Sequence, residues 1–265
     1  MSKIGIIGMG NMGYAMLKGI LKSFDANEII IATANKDKCY KIAKETGVRY
    51  ADSNTELASN AKYIVLAVKP QVYPEVLKNI KNVLNLDSVV ISIAPGITVD
   101  SLKKELGINI KIVRAMPNTP ALIGEGMTGV SFNKDEFSKE ECEVIDRFFN
   151  AFGKVVYVNE NLMNAVVCGS GSSPAYVYMF IEALADSVVK YGLKRDDAYK
   201  IVAQTVLGSA KMVLETGQHP GVLKDNVCSP GGTTIQGVAA LEEASFRNAL
   251  IKATDACYEK CTKIK

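Results

Sequence analysis

The chain is poor in the residues that most catalytic and metal sites use. Its 265 residues include no tryptophan and a single histidine, and its six cysteines form no CxxC pair. Because a zinc site needs Cys and His ligands at close spacing, we expect no metal. Cys257 and Cys261 are four residues apart and could share one face of a helix, and we interpret them as core thiols.

An excess of charge of one sign and long apolar runs are also lacking. Lys and Arg number 31 against 28 Asp and Glu, a net charge of +3, which offers no electrostatic footprint for nucleic acid. No apolar run reaches the ~18 residues that a membrane span needs. The first residues do not resemble a signal peptide. We therefore expect a cytoplasmic protein that binds neither nucleic acid nor a membrane.

The first part of the chain alternates between strand and helix patterns. Near-continuous apolar runs suit strands that are buried on both faces of a parallel sheet. Runs rich in Ile and Val predict strands at 3–8, 28–33, 63–68, 88–93, 110–116, 129–133 and 153–158. Helix-compatible segments lie at 12–23, 37–46, 72–82 and 138–150. We predict an α/β, doubly wound, Rossmann-like domain over residues 1–158.

Residues 159–265 predict helices only. Apolar residues recur at helical spacing after Pro174, in the stretch that ends at Gly217, and in a last helix around Leu250. The helix after Pro174 is apolar on nearly every side, so we expect it to be buried on most sides. Three such helices leave apolar surface to cover, and we infer that this all-α domain packs on a partner subunit.

The segment "GIIGMGNMG" places three glycines directly after the first predicted strand and at the start of a predicted helix. This pattern is typical of a dinucleotide-binding loop, in which glycines allow a tight turn, close approach to a pyrophosphate and close helix–strand packing. The helix N-terminus supplies unpaired N–H groups to the phosphates. The predicted contacts are Ile7, Gly8, Gly10, Asn11, Met12 and Gly13.

The end of the second strand bears on the choice of dinucleotide. In NAD sites an Asp or Glu about 20 residues after the loop bonds the ribose 2′-hydroxyl. Here the chain reads Thr33, Ala34, Asn35 and Lys36. No carboxylate repels a 2′-phosphate and Lys36 could attract one, so these residues favour NADPH, with NADH possible. An ordinary solvated lysine at a helix start remains the alternative for Lys36.

Three later strands end in segments that predict further cofactor contacts. Open α/β sheets bind ligands at the carboxyl ends of their strands. The segments are "LAVKP", "SIAPG" and "AMPNTP". The predicted contacts are Ala67, Val68, Lys69, Pro70, Ala94 and Asn118.

The scarcity of acid and base residues restricts the chemistry. A nicotinamide site implies hydride transfer, and reduction of a ketone normally needs a placed acid such as His or Lys. The single histidine, His219, lies in the predicted turn "TGQHPG". A protonated imine accepts hydride and becomes a neutral amine, so its reduction requires mainly proximity and orientation.

The segment "SPGGTTIQGV" at 229–238 predicts a second anion site. Gly231 and Gly232 leave bare backbone at a helix start, and Thr233 and Thr234 add N–H and hydroxyl donors. A substrate carboxylate fits such a site. The alternative is an ordinary N-cap, which needs one Ser or Thr and leaves the two glycines unexplained.

The chain resembles the pyrroline-5-carboxylate reductase family over nearly its whole length. The matching motifs are "GxGNMG" at 8–13, "AVKP" at 67–70, "MPNTP" at 116–120, "GSGSSPAY" at 169–176 and "HPGVLKDNVCSPGGTTIQGVAALE" at 219–242. The resemblance implies NAD(P)H-dependent reduction of the cyclic imine 1-pyrroline-5-carboxylate to L-proline. It also implies dimerisation through the helical domain and, for many members, a decamer. Asn164 and Ser173 depart from the usual pattern.

The resemblance also implies residue roles. The substrate carboxylate would meet the loop through Ser229, Gly231, Gly232 and Thr233. The hydroxyl of Thr234, the implied catalytic residue, would bond the ring nitrogen. Glu160 matches a position near the substrate, Asn226 one near the cofactor, and Asn54 one near the adenosine.

Two other functions stay open. One is a reductase of another small cyclic imine or keto acid. The other is a non-enzymatic scaffold that binds NADP and a partner through its apolar helices. The loop at 229–234 argues against the scaffold, because a sensor does not need a second anion site.

Overall fold

A computed structural model describes residues 2–263 of the protein. Within that range eight strands form one sheet. The strands are β1 (Ser2–Ile7), β2 (Ile29–Ala32), β3 (Arg49–Tyr50), β4 (Ala61–Leu66), β5 (Val89–Ser92), β6 (Lys111–Met116), β7 (Gly126–Ser131) and β8 (Gly153–Tyr157).

The α-helices lie between and after these strands. They are α1 (Asn11–Ile20), α2 (Lys36–Thr46), α3 (Asn54–Asn60), α4 (Tyr73–Ile80), α5 (Val99–Leu106), α6 (Lys139–Asn150), α7 (Met163–Val166), α8 (Ser173–Lys190), α9 (Arg195–Thr216), α10 (Pro220–Val227), α11 (Thr233–Glu243) and α12 (Phe246–Thr262). A single π-helical turn, Val167–Gly171, joins α7 to α8.

The strand order is β3-β2-β1-β4-β5-β6-β7-β8, and every neighbouring pair is parallel except β6 and β7. β1 pairs with both β2 and β4, so the direction of winding reverses there. Ligands of open α/β sheets bind at the carboxyl ends of the strands at such a switch point. The predicted doubly wound fold is confirmed.

Apolar side chains alternate between the two faces of this sheet. Ile4 and Ile6 of β1 lie in one buried cluster, together with Leu17 of α1. Ile7 lies in the other, together with Leu77 of α4. Both faces are covered, which explains why β2 and β5 are buried at every position and read as continuous apolar runs.

The sequence missed three elements of the sheet domain. β3 has only two residues, both exposed, so no apolar pattern announces it. α3 has seven residues and α5 has eight, which is close to the shortest length at which helical periodicity can be read. β7 begins at Gly126 rather than at 129, because Gly126 pairs with Gly153 at the start of β8.

The described residues divide into two compact units, 2–172 with 257–263, and 173–256. The domain boundary that we predict between residues 158 and 159 uses a different criterion, the change from strands to helices, and stays a prediction. None of the helices within residues 2–263 is both long and apolar enough to cross a bilayer.

The helical unit exposes many apolar side chains. Helix α8 was expected to be buried on most sides, but within one chain Ala185 is its only buried residue among those described. Met179 is 68% exposed, and Leu214 of α9 is 83% exposed. The expectation for α8 is therefore wrong for a single chain. Clusters of exposed apolar side chains are typical of interaction surfaces.

Glu141 ties helix α6 to two strands of the sheet. Its carboxylate is 3% exposed and accepts hydrogen bonds from the Nζ atoms of Lys62 on β4, at 2.9 Å, and Lys111 on β6, at 2.8 Å. It also accepts from the backbone N–H of Ser138 at 2.9 Å. Burial alone would raise the pKa of this carboxyl, but the bonds from Lys111 and Lys62 lower it to about 2.

We expect Glu141→Gln to destabilise the fold at pH 7 by about 1–3 kcal/mol, because two lysines lose their shared counter-charge. The folded-state pKa is about 2 and the ordinary value is 4.5. The advantage of the wild type should therefore be complete above about pH 4.5 and shrink as the pH falls towards 2. Urea unfolding at fixed protein concentration measures it.

A matched control is Glu143→Gln on the same helix, whose 66% exposed side chain lies 3.9 Å from Lys139. Exposed pairs of this kind contribute about 0–1 kcal/mol. A Glu141→Gln deficit that stays the same at pH 2.5 and pH 7 would contradict the role given to the charge.

Candidate functional site

The loop after β1 has a backbone shape that only glycine allows. Gly8 has a φ of +101°, in the left-handed region, and its N–H donates to the carbonyl oxygen of Ala32 at 2.8 Å. A Cβ at Gly8 would lie 2.5 Å from the carbonyl oxygen of Ala67, and one at Gly13 would lie 2.0 Å from the carbonyl oxygen of Gly8. These two glycines serve close backbone packing, as the motif predicts.

Gly10 has a different environment from the other two glycines. It is exposed, it is the N-cap of α1, and a Cβ built on it would meet no described atom within 4 Å. No side chain within residues 2–263 caps this helix start. Asn11 and Met12 are the first two residues of this helix, at its positive end, and backbone N–H groups at such ends commonly bind phosphates.

The segment 67–70 lies beside this loop. The N–H of Ala67 donates to the carbonyl oxygen of Ile7 at 2.8 Å, so this contact continues the pairing of β1 and β4 past their ends. Val68 Cγ1 would lie 2.8 Å from a Cβ at Gly8. Lys69 is exposed, and Pro70 begins the short 3-10 turn Pro70–Val72. The structure thus brings the first two predicted groups of cofactor contacts together.

The residues after β2 are mostly exposed. The side chain of Asn35 caps α2 by accepting from the N–H of Lys38 at 2.9 Å. Lys36 Nζ is 3.9 Å from Asp52 Oδ1, and the two side chains are 56% and 81% exposed. This pair is too open to hold Lys36 strongly. Asn54 is the first residue of α3 and is half-buried.

A buried tyrosine that sequence reasoning missed holds the ends of two strands. The Tyr73 hydroxyl lies 3.0 Å from the carbonyl oxygen of Leu66 on β4 and 3.0 Å from the Ser92 hydroxyl on β5. Burial raises the pKa of Tyr73 to about 12, so it stays a neutral hydrogen-bonding group. It fixes the strand end that leads to Ala94, a buried predicted cofactor contact.

The side chain of Asn118 forms hydrogen bonds with other parts of the protein. Its Oδ1 accepts from the N–H of Met127 at 2.8 Å, and its Nδ2 donates to the carbonyl oxygen and to the hydroxyl of Ser170, each at 3.2 Å. The side chain is buried and joins the turn after β6 to the π-helical turn. A cofactor contact at this position stays a prediction.

Glu160 has protein partners of its own. Its Oε1 accepts from the N–H of Val99 at 2.7 Å and from Nη1 of Arg114 at 3.0 Å. Sequence reasoning missed Arg114, although a charged residue inside the apolar run "KIVRAM" is an unusual signal. Both residues line a cavity of about 440 Å³, together with Gly96, Thr98, Asp100, Asn161, Asn164, Cys261 and Thr262.

The loop before α11 has the bare backbone that its sequence predicts. Gly231 has a φ of +68°, and the N–H of Gly232 donates to the carbonyl oxygen of Ser229 at 3.0 Å. Gly232 is the N-cap of α11, and no side chain in the described range caps the helix. Thr233 and Thr234 are exposed in its first turn. The ordinary Ser or Thr N-cap, the alternative for this segment, is not what the structure has.

The cysteines expected to be core thiols lie in an apolar cluster. Cys261 is buried with Met116 and Met163, and Cys257 packs against them. Burial and the neighbouring Cys257 thiol raise the pKa of Cys168 to about 12, so this thiol stays protonated. Within residues 2–263 no group of three or more His, Cys, Asp or Glu side chains is placed to hold a metal ion.

Two family models match the chain. A model described as "Pyrroline-5-carboxylate reductase dimerisation" matches residues 160–264. A second, described as "NADP oxidoreductase coenzyme F420-dependent", matches residues 3–96. The first match covers the helical part of the chain. The second covers the strands from β1 to β5, which include the point where the winding reverses.

Individual relatives align over nearly all of their length. The pyrroline-5-carboxylate reductase of Escherichia coli (strain K12) is 49% identical over 264 residues, which is 99% of this chain and 98% of that protein. A solved pyrroline-5-carboxylate reductase from Coxiella burnetii has a TM-score of 0.91 at 36% identity and covers 99% of this chain and 98% of its own. The Plasmodium falciparum pyrroline carboxylate reductase, solved with NADP bound, has a TM-score of 0.88 at 37% identity, covering 98% and 97%.

The two kinds of glycine in the first loop should respond differently to a methyl group. Gly10→Ala should fold normally, because its φ of −75° suits alanine and the space is open. It should weaken NADPH binding roughly 10- to 100-fold, since the methyl group blocks charge-assisted bonds to the helix N-terminus. Calorimetric titration measures the affinity, and thermal unfolding measures the stability.

Gly13→Ala is the matched variant. Its methyl group would meet the Gly8 carbonyl oxygen, so we expect a loss of about 1–3 kcal/mol of stability from overpacking. Equal stabilities for the two variants, or an unchanged affinity in Gly10→Ala, would contradict the assignment.

Proposed function

We propose that this chain, which belongs to the pyrroline-5-carboxylate reductase family, reduces the C=N bond of 1-pyrroline-5-carboxylate to L-proline. The electron donor in this proposal is NADPH. One observation carries the proposal. Within residues 2–263, two helix N-termini without a side-chain cap follow left-handed or closely packed glycines, at α1 and at α11. The first suits a pyrophosphate and the second suits a carboxylate.

The cofactor site fits a phosphorylated dinucleotide. Gly10 leaves room at the start of α1, and the described segment 33–36 contains no carboxylate to repel a 2′-phosphate. The loosely paired Lys36 favours NADPH, and NADH stays possible. When bound, the reduced nicotinamide supplies the hydride. The other predicted contacts, at 67–70, Ala94, Asn118, Asn54 and Asn226, remain proposals.

The substrate carboxylate binds, in this proposal, to the N–H groups of Gly231 and Thr233, and it lies against Gly232, whose own N–H donates to the carbonyl oxygen of Ser229. The Thr234 hydroxyl accepts from the protonated ring nitrogen and holds it in one orientation. Because the iminium is already cationic and its reduction gives a neutral amine, no anion develops that needs a strong acid. This suits a chain whose single histidine uses Nδ1 to accept from the N–H of Gly221 at 3.0 Å and so caps α10.

The chain carries the dimerisation domain of its family and self-associates through it. The exposed apolar side chains of α8 and α9 supply the surface. We propose that dimers assemble further, up to a decamer, as the sequence resemblance implies. The cytoplasmic location also stays a proposal.

A steady-state assay with both nicotinamide cofactors tests the reaction. We expect turnover of 1-pyrroline-5-carboxylate with NADPH, weaker turnover with NADH, and a clear preference over the six-membered cyclic imino acid, because ring size tests the shape of the pocket. A preference for the larger ring or for a keto acid would favour another reductase. Tight NADPH binding without oxidation by any cyclic imine would favour the scaffold.

Thr234→Ala should lower kcat/KM for the imine by a factor of roughly 5 to 150, the equivalent of ~1–3 kcal/mol for one hydrogen bond to a charged group. Thr234→Ser, which keeps the hydroxyl, should retain most of the activity. The dissociation constant for NADPH should not change in either variant. Wild-type kinetics in Thr234→Ala would remove the role given to this residue.

A further inference from the structure

Arg114 is a buried charge on β6, an interior strand of the sheet. Its side chain is 5% exposed, and its Nη1 donates to Glu160 Oε1 at 3.0 Å. Its buried Nε has no hydrogen-bond partner among the described residues. Burial of a guanidinium is costly, and apolar residues of similar volume often replace buried ion pairs without loss of stability. Stability alone therefore does not explain this charge.

The partner of Arg114 closes the start of a helix. Glu160 Oε1 also accepts from the N–H of Val99, the first residue of α5, at 2.7 Å. Thr98 and Ser101 form a capping box at the same helix end, with bonds of 3.1 Å in both directions. This helix start is filled by protein groups, in contrast to those of α1 and α11. Its role is to fix the chain that enters α5.

That chain is the loop from 93 to 98, which connects β5 to α5. At its β5 end the Ser92 hydroxyl bonds to buried Tyr73 at 3.0 Å. At its α5 end Glu160 holds the N–H of Val99. Between them lie Ala94, a proposed cofactor contact, and Gly96, which has a φ of +78°. The loop is therefore anchored at both ends, and Glu160 supplies the second anchor from a distant part of the chain.

We infer that Arg114 is a positioning residue which, through Glu160, fixes the 93–98 loop in the shape that binds the cofactor. The inference rests on the proposed function and adds a residue to it. The planar guanidinium holds one oxygen of Glu160 in a fixed direction, so that this oxygen faces the start of α5. A lysine would present a flexible point charge instead.

Five variants test this inference: Arg114→Met, Arg114→Lys, Glu160→Leu, the double variant of Arg114→Met with Glu160→Leu, and Lys103→Gln as the control. Lys103 lies on the same helix α5 and pairs with Glu136 at 2.7 Å, away from the helix start. Glu160→Leu removes the oxygen that accepts from both Arg114 and Val99. For each, the NADPH dissociation constant is measured by calorimetry, which does not depend on turnover, together with KM, kcat and the thermal midpoint.

We expect Arg114→Met to weaken NADPH binding on the order of 10- to 100-fold, as misplacement of a binding segment does. Lys103→Gln should stay within about twofold of the wild type in NADPH affinity, because its partner Glu136 is not one of the groups that anchor the 93–98 loop. The double variant should bind NADPH no more weakly than Arg114→Met, because both changes break the same link. Arg114→Lys should recover only part of the affinity.

Three results would overturn the inference: NADPH affinity in Arg114→Met equal to that of the control, losses in the two single variants that multiply in the double variant, or full recovery in Arg114→Lys. If Arg114→Met does not fold, wild-type NADPH affinity in Glu160→Leu would overturn the inference in the same way. If the wild type binds NADPH but reduces no imine, the proposed reaction fails, and the affinities still decide the role of Arg114.

Discussion

Helix α1 packs against the end of β1 so closely that one methyl group at Gly13 would lie 2.0 Å from the carbonyl oxygen of Gly8. The same turn lies against the carbonyl of Ala67, where the sheet changes its direction of winding. This approach of three backbone segments aims the start of α1 at the crevice above β1 and β4. The predicted anion site, the ends of the neighbouring strands and the placement of the segment 67–70 all depend on it.

The starts of helices α1, α5 and α11 differ in the groups that occupy their backbone N–H donors. The starts of α1 and α11 keep their N–H groups open, and the start of α5 is closed by Glu160 and a capping box. Open starts suit ligands that carry negative charge, and the closed start suits a rigid connection. His219 uses its Nδ1 as a helix cap, and the reaction that we propose relies on orientation and on the charge of the substrate.

Much of the fold could be predicted from the sequence because the sheet is parallel and buried. Its strands are continuous apolar runs, and its long helices repeat at 3.6 residues. The glycine-rich loops at 8–13 and 229–234 could also be predicted, because glycines directly before a helix indicate a turn with exposed backbone. β3 was not, because a two-residue strand carries too little periodicity. α5 was also missed, although the equally short α4 lies within the predicted segment 72–82.

The part of the site that escaped prediction depends on partners far apart in the chain. Arg114 meets Glu160 across 46 positions, and Tyr73 meets Ser92 across 19. A buried arginine or tyrosine gives no sign in the sequence of which group will satisfy it. The same holds for Asn118, whose partners at Met127 and Ser170 turn a predicted ligand-binding residue into one that also holds the fold together.

The division of the chain into units has a consequence for its biosynthesis. Residues 257–263 belong to the first unit, and Cys261 fills an apolar cluster with Met116 and Met163. The ribosome therefore delivers every strand of the sheet, and then the whole helical unit, before the side chain that completes this cluster emerges. Domains usually fold in the order in which they are made. Here the unit that is begun first is also the last to be completed.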